Sequence, residues 1–306
     1  MIFSDFIEEL RQKEIEITFS GGKLKYSGPD KNITPELIEK LRKFKGKLIK
    51  YFWPEELSYL MPINPEGSQI PLFVVHGDNG NYIISEYLGQ DQPVYGFFHP
   101  GSEGEKIPYR SVKEMSESYI DMVRKVNPDG PFYLIGYSFG GVLAFEMAVK
   151  MQMSGYKVPF LVLIDSMCPA TKDKIMWEKG LFRIIRKNFL SPARISVKRF
   201  FKLLICELYI LRKIPIPADK RAFYMWIKYL KLSGRYSPPK FDGDMLLFRS
   251  TGNPFSYKTL GWKPLVNNIK IIEIDGKHLD IFIGEDRNDI LRTEVQKYLN
   301  YINRLN

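Results

Sequence analysis

Apolar positions along this chain follow one pattern up to about residue 53 and another from Ile70 onward. In residues 1–53, "DFIEELRQ" carries apolar residues at helical spacing. "IEITFSGGKLKYSG" has two short alternating runs around Gly21–Gly22, which predicts a hairpin. "ITPELIEKLRKFKGKLIKYF" opens with Thr34 as an N-cap, Pro35 at the first helical position and Glu36 in the first turn. Its apolar stripe runs from Leu37 to Phe52 with a break near Gly46. The predicted order is helix, hairpin, helix, helix. Residues 54–69 hold three prolines, a glycine and no firm period, and read as a linker. After Ile70, short apolar runs ("IPLFVVHG", "PVYGFF", "PFYLIGYS", "VPFLVLID") alternate with amphipathic segments such as "YRSVKEMSESYIDMVRKV" and "GGVLAFEMAVKMQMSG". That alternation predicts a mostly parallel sheet covered by helices on both faces.

The alternation stops at Cys168. About seventy residues of helical pattern follow, and strands return with "GDMLLFRST" and "NIKIIEID" before a last amphipathic helix. The sheet is therefore expected to carry a helical insertion, about residues 170–240, behind the strand that ends at Asp165. Charge supports this division. The chain carries a net +10 over 306 residues. Residues 171–240 contain 18 Lys/Arg against 4 Asp/Glu, residues 1–53 contain 11 against 8, and the remainder is net −7. Basicity confined to one segment, with no nucleic-acid motif, argues against a general nucleic-acid binder and suggests an acidic partner for that segment. Three roles fit it: a lid facing an acidic protein, a basic amphipathic membrane-surface element, or a solvated face. With 44% apolar residues the chain can build a sizeable core. Two cysteines, Cys168 and Cys206, cannot form a disulfide framework. The N-terminus lacks the pattern of a signal peptide, and no apolar run is long enough to span a bilayer. A cytoplasmic location is the expectation.

"GYSFG" fits G-x-S-x-G, with a predicted strand before it and a helix after it. A serine on such a sharp turn has its hydroxyl exposed, and side chains two residues to either side would collide, which calls for Gly136 and Gly140. The competing reading is a phosphate-binding loop, but no lysine follows the glycines. If Ser138 is a nucleophile it needs a base, and the chain has three histidines: His76, His99 and His278. Only His278 follows the last strand, in "EIDGKHLDIF", where the Ser–Asp–His chain order of α/β-hydrolases requires it. Asp165 ends the strand one unit after Ser138 and is the candidate orienting acid. Asp242, Asp244, Asp275 and Asp280 remain rivals, and Asp165 could instead cap a helix. The backbone N–H groups of Phe139 and Asp78, with Gly77 as alternative to the latter, are the candidate oxyanion donors. Gly77 and Gly80 would let the "HGDNGN" loop close on the serine, and His76 would orient it.

Taken in order, "FVVHGDNGN", "GPFYLIGYSFGG", "LVLID", "FRST…GW" and "GKHLDIF" resemble the thioesterase domains of nonribosomal peptide and polyketide synthases, over roughly residues 69–303. The resemblance implies an α/β-hydrolase fold with a helical lid after the strand bearing the acid. It implies that Ser138 takes an acyl or peptidyl chain from the phosphopantetheine arm of a carrier protein, with His278 as base and Asp165 as acid. No cofactor of the protein's own is expected. In the oxyanion loop many family members have a proline where Gly77 stands. Residues 3–53 are similar to the N-terminal docking domains of synthase subunits, which bind a C-terminal segment of an upstream subunit, often by strand addition and often acidic. The expected organisation is a small α+β docking domain (1–53), a linker (54–69) and a thioesterase domain (70–306). A small-molecule esterase or lipase of the same fold, or a docking and scaffold protein with an inactive hydrolase domain, are the alternatives.

Overall fold

The structure is a computed structural model that describes residues 3–20, 23–77, 79–169, 194–255 and 257–305. Its N-terminal part runs α1 (Phe3–Gln12), β1 (Glu16–Ser20), β2 (Lys23–Ser27), α2 (Pro35–Lys43) and α3 (Lys45–Tyr51), with β1 and β2 antiparallel. The Thr34 hydroxyl accepts the Leu37 N–H at 3.2 Å, which caps α2. Phe6, Leu10, Leu37, Phe44 and Leu48 share a small core of their own. The break between α2 and α3 falls at Phe44 rather than Gly46. There the ring stacks on Phe6 with centroids 5.1 Å apart, so tertiary packing sets the bend. Gly46 has another use: its N–H donates to the Glu66 carboxylate at 2.7 Å, against which a Cβ would collide.

The segment read as a linker contains a strand, β3 (Leu60–Asn64), antiparallel to β5 (Val94–Phe97) at the edge of the main sheet. Pro62 in the middle of a five-residue run hid it. Proline lacks the ladder donor and is confined to edge strands, strand starts and bulges; β3 is an edge strand whose register shifts between Pro62 and Asn64. Trp53 links the two parts of the chain. Its indole N–H donates to the Leu60 carbonyl at 2.7 Å, and its ring packs against Phe19 of β1 (4.8 Å) and Tyr95 of β5 (5.8 Å).

The main sheet also contains β4 (Leu72–Val75), β6 (Tyr133–Tyr137), β7 (Phe160–Ile164), β8 (Asp244–Ser250) and β9 (Asn268–Ile274). Their order is β3-β5-β4-β6-β7-β8-β9, and every neighbouring pair from β5 to β9 is parallel. Because strand side chains alternate, successive residues feed two separate cores. Phe73, Val75, Leu134, Leu161, Leu163 and Leu247 meet α5 (Val112–Val126) and α6 (Phe139–Met153). Leu72, Val74, Ile135, Val162, Ile164 and Phe248 meet α4 (Asn79–Leu88) and α9 (Glu285–Leu305). Helix α6 is buried almost all round, as an apolar helix at the centre of such a sandwich must be. Of the basic insertion, residues 170–193 lie outside the described residues. The rest forms α7 (Arg194–Leu211) and α8 (Ala218–Ser233). Lys228 of α8 pairs with Glu207 of α7 at 2.7 Å.

Candidate active site

The parallel strands β4, β6, β7 and β9 deliver their C-terminal ends to one edge of the sheet, where loops converge. Ser138 stands between β6 and α6 with φ 54° and ψ −118°, a region that L side chains seldom adopt. Its N–H donates to the Ile164 carbonyl at 2.9 Å, tying the turn to β7. The flanking glycines are a steric requirement. A Cβ on Gly136 would lie 2.4 Å from the Gly140 carbonyl oxygen, and one on Gly140 would lie 2.1 Å from that of Val75.

His278 occupies a short 3-10 turn, His278–Asp280, just after β9. Its Nε2 lies 2.9 Å from the Ser138 hydroxyl and its Nδ1 lies 2.7 Å from Asp165 Oδ2. The Asp165 side chain is fully buried, whereas that of His278 is 39% exposed. Three further donors converge on the carboxylate: the Ser250 N–H (3.0 Å), the Ser250 hydroxyl (2.7 Å) and the Asn253 amide (2.9 Å). Burial alone pushes the Asp165 carboxyl up. The hydrogen bonds from His278, Ser250 and Asn253 outweigh that and hold it below the usual carboxylate range. The rival acids are engaged elsewhere. Asp242 and Asp244 accept from Asn267 and Asn268 beside the start of β8, Asp275 accepts from Thr251, and Asp280 accepts from the Lys277 N–H. Ser250 and Asn253 carried no signal in the sequence beyond two short polar residues at a strand end. Their relation to Asp165 spans more than eighty positions.

Phe139 opens α6 directly after Ser138, so its N–H lies at the positive end of a helix. Asp78 lies outside the described residues, while the alternative, Gly77, is buried. Close packing around this segment calls for both glycines. A Cβ on Gly77 would lie 2.4 Å from the Asn81 side-chain oxygen, and one on Gly80 would lie 2.5 Å from the Phe282 ring. They make room for those two residues. Helix α8 of the insertion reaches this region through Tyr229, whose ring stacks on Phe139 at 4.5 Å and whose hydroxyl donates to the Pro100 carbonyl at 3.0 Å.

His76 and His99 stand apart from the Ser138–His278–Asp165 chain. The His76 imidazole is fully buried, shares a hydrogen bond of 2.9 Å with the Tyr119 hydroxyl and lies tilted by 39° against the His99 ring, with centroids 4.0 Å apart. Burial first, then the neighbouring His99, hold its pKa well below the usual histidine value. The unfolded chain therefore binds this proton more readily than the folded one, and stability falls as pH drops below about 6.5. Thermal midpoints are expected to be flat between pH 7 and 8 and to decline toward pH 5. The decline should be shallower in His76→Asn; an equal slope in both proteins would show that His76 is not its source.

Among the described residues, no group of three or more His, Cys, Asp or Glu could hold a metal ion, and no helix is long and apolar enough to cross a membrane.

This sheet order, with a strained serine after a central strand and a histidine after the last, defines an α/β-hydrolase. The family model for the thioesterase domain matches residues 82–293, and the chain belongs to that family. Residues 4–53 match the model for the TubC N-terminal docking domain. The chain is 33% identical over 241 residues to malpinin synthetase of Mortierella alpina, covering 73% of this chain and 3% of that protein. It is 28% identical over 243 residues to a dimodular nonribosomal peptide synthase of Bacillus subtilis (strain 168), covering 74% of this chain and 10% of that one. The chain thus spans a small fraction of these curated relatives. Among solved structures, the NocB thioesterase domain from the nocardicin cluster aligns with TM-score 0.57 at 21% identity, over 79% of this chain and 99% of that one. The surfactin thioesterase domain SrfTE aligns with TM-score 0.51 at 19% identity, over 80% and 97%.

Proposed function

We propose that the protein releases an acyl or peptidyl chain from the phosphopantetheine arm of a carrier protein in nonribosomal peptide or polyketide assembly, through an ester on Ser138. The observation that carries this reading is the unbroken hydrogen-bonded chain from Ser138 Oγ through His278 to buried Asp165. His278 Nε2 takes the Ser138 proton as Oγ attacks the thioester carbonyl. The C–S bond then breaks, and the thiol leaves with that proton. Asp165 holds the imidazole in the tautomer with Nδ1–H and stabilises the imidazolium. The Phe139 N–H, with a second from the Gly77–Asp78 loop, stabilises the oxyanion. In the second step His278 activates water, giving hydrolysis, or a nucleophile on the bound chain itself, giving cyclisation. The protein needs no cofactor of its own for this chemistry; the carrier's arm is part of the substrate. A cytoplasmic location fits a protein that acts on synthase subunits.

Residues 3–53 would deliver the enzyme to the C-terminal segment of an upstream synthase subunit. A groove of about 470 Å³ runs beside β2, lined by apolar Leu24, Ile38 and Leu41 and by basic Lys25, Arg42 and Lys45. Apolar walls with a basic rim suit an extended acidic segment that adds to the edge of the hairpin. Lys25→Glu with Lys45→Glu is expected to weaken binding of an acidic docking peptide about tenfold or more, measured by calorimetry, while turnover of a free acyl thioester stays within twofold. Unchanged peptide affinity would remove the groove from the proposal.

A further inference from the structure

We propose that Tyr137 is a positioning residue for His278 and that, together with Phe282, it joins the histidine turn to the first turn of α4 at Gly80. The inference rests on the reading of His278 as the base for Ser138. Three contacts carry it. The Tyr137 hydroxyl donates to the His278 backbone carbonyl at 2.8 Å. The Tyr137 ring lies nearly parallel to the imidazole, with centroids 5.0 Å apart and planes 17° from each other. The Phe282 ring meets Tyr137 edge-on at 5.0 Å and 73°, and the same ring fills the space that a Cβ on Gly80 would need.

Each contact constrains something the Ser138–His278–Asp165 chain leaves free. The bonds at Nδ1 and Nε2 fix the positions of two ring atoms but not the tilt of the ring about the line that joins them. His278 is 39% exposed, and the other bonds of its turn, between Lys277 and Asp280 and from the Arg287 guanidinium to the Asp280 carbonyl, hold the backbone and not the ring. A flat ring against the imidazole face sets that tilt, and the hydroxyl-to-carbonyl bond sets the height of the turn. In the proposed reaction Nε2 must stay within hydrogen-bond reach of the serine oxygen and then of the departing sulfur. Small errors in that placement are costly, since about 1 Å can lower a rate a hundredfold. Tyr137 directly precedes Ser138, so one turn of chain carries both the nucleophile and the support for its base. Phe282 extends the support across to Gly80, which makes the glycine at 80 part of the same device.

The test compares Tyr137→Phe, which keeps the stack and loses the hydrogen bond, with Tyr137→Leu, which loses both. Gly80→Ala displaces Phe282 from the other side. The readouts are the rate constant for labelling of Ser138 by a fluorophosphonate, kcat and KM on a free acyl thioester corrected by active-site titration, and the thermal midpoint. Tyr137→Phe is expected to lower kcat and the labelling rate about five- to tenfold. Tyr137→Leu is expected to lower them about fiftyfold, with KM within twofold. Gly80→Ala should fall between wild type and Tyr137→Leu. If both Tyr137 variants label and turn over at wild-type rates, or if their losses vanish once the unfolded fraction is removed, the inference is overturned. If Tyr137→Leu does not fold, Tyr137→Phe and Gly80→Ala decide alone, and unchanged rates in both count against it. Ser138→Ala is run in parallel. Labelling that survives that change would defeat the underlying reading instead, and the two failures are thereby told apart.

Discussion

Replacing Ser138 by alanine is expected to abolish labelling by a fluorophosphonate and to lower thioester turnover by about 10⁴- to 10⁶-fold. The substitution removes one oxygen from a residue whose backbone is held independently of it. The Ser138 N–H bond to Ile164, the close approach of Gly140 to Val75 and the burial of α6 all survive. Alanine and serine bear the same backbone strain at φ 54°, so the thermal midpoint should move by only a few degrees. What disappears is the atom 2.9 Å from His278 Nε2 that would form the ester. Binding of a docking peptide to residues 3–53 should be unaffected. Labelling that persists in Ser138→Ala, confirmed by intact-protein mass, would place the nucleophile elsewhere.

Asp165→Asn is expected to lower kcat/KM by about 10⁴-fold with a modest change in stability, as measured by steady-state kinetics and thermal unfolding. Every neighbour of this carboxylate presents a hydrogen: the Ser250 N–H and Asn253 amide at Oδ1, the Ser250 hydroxyl and His278 Nδ1 at Oδ2. An amide has one accepting oxygen and one NH₂ group. Its oxygen is best placed at the Oδ1 site, where neither donor can rotate away. The NH₂ then faces His278, and Nδ1 must become an acceptor. The ring proton moves to Nε2, which can no longer take a proton from Ser138. A variant within tenfold of wild type would mean that Asp165 does not control the tautomer.

How much of this was legible in the chain depends on how local each cause is. Ser138 announces itself because the steric demands of a strand-to-helix turn fall on residues within two positions, Gly136 and Gly140. The positions of Asp165 and His278 follow from topology, since parallel strands carry their C-terminal ends to one edge. The parts that escaped are set by contacts between distant segments. Strand β3 was masked by Pro62, whose tolerance depends on its being at the sheet edge. The helix break at Phe44 is decided by the Phe6 ring, not by the glycine two residues on. Gly77 and Gly80 were recognisable as necessary, but Asn81 and Phe282, the residues for which they make room, were not. Ser250, Asn253 and Tyr137 reach their partners across 85 to 141 residues and leave no local mark.

The central claim is that Ser138 accepts a chain presented on another protein. Its most direct test is intact-protein mass spectrometry on rapid quench, after mixing the enzyme with a carrier domain bearing an acyl- or peptidyl-phosphopantetheine thioester. An adduct of the acyl mass is expected, mapped by digestion to the peptide containing Ser138. It should form faster from the tethered thioester than from the free one at equal concentration. An adduct on any other residue, or none while the carrier thioester is consumed, would contradict it.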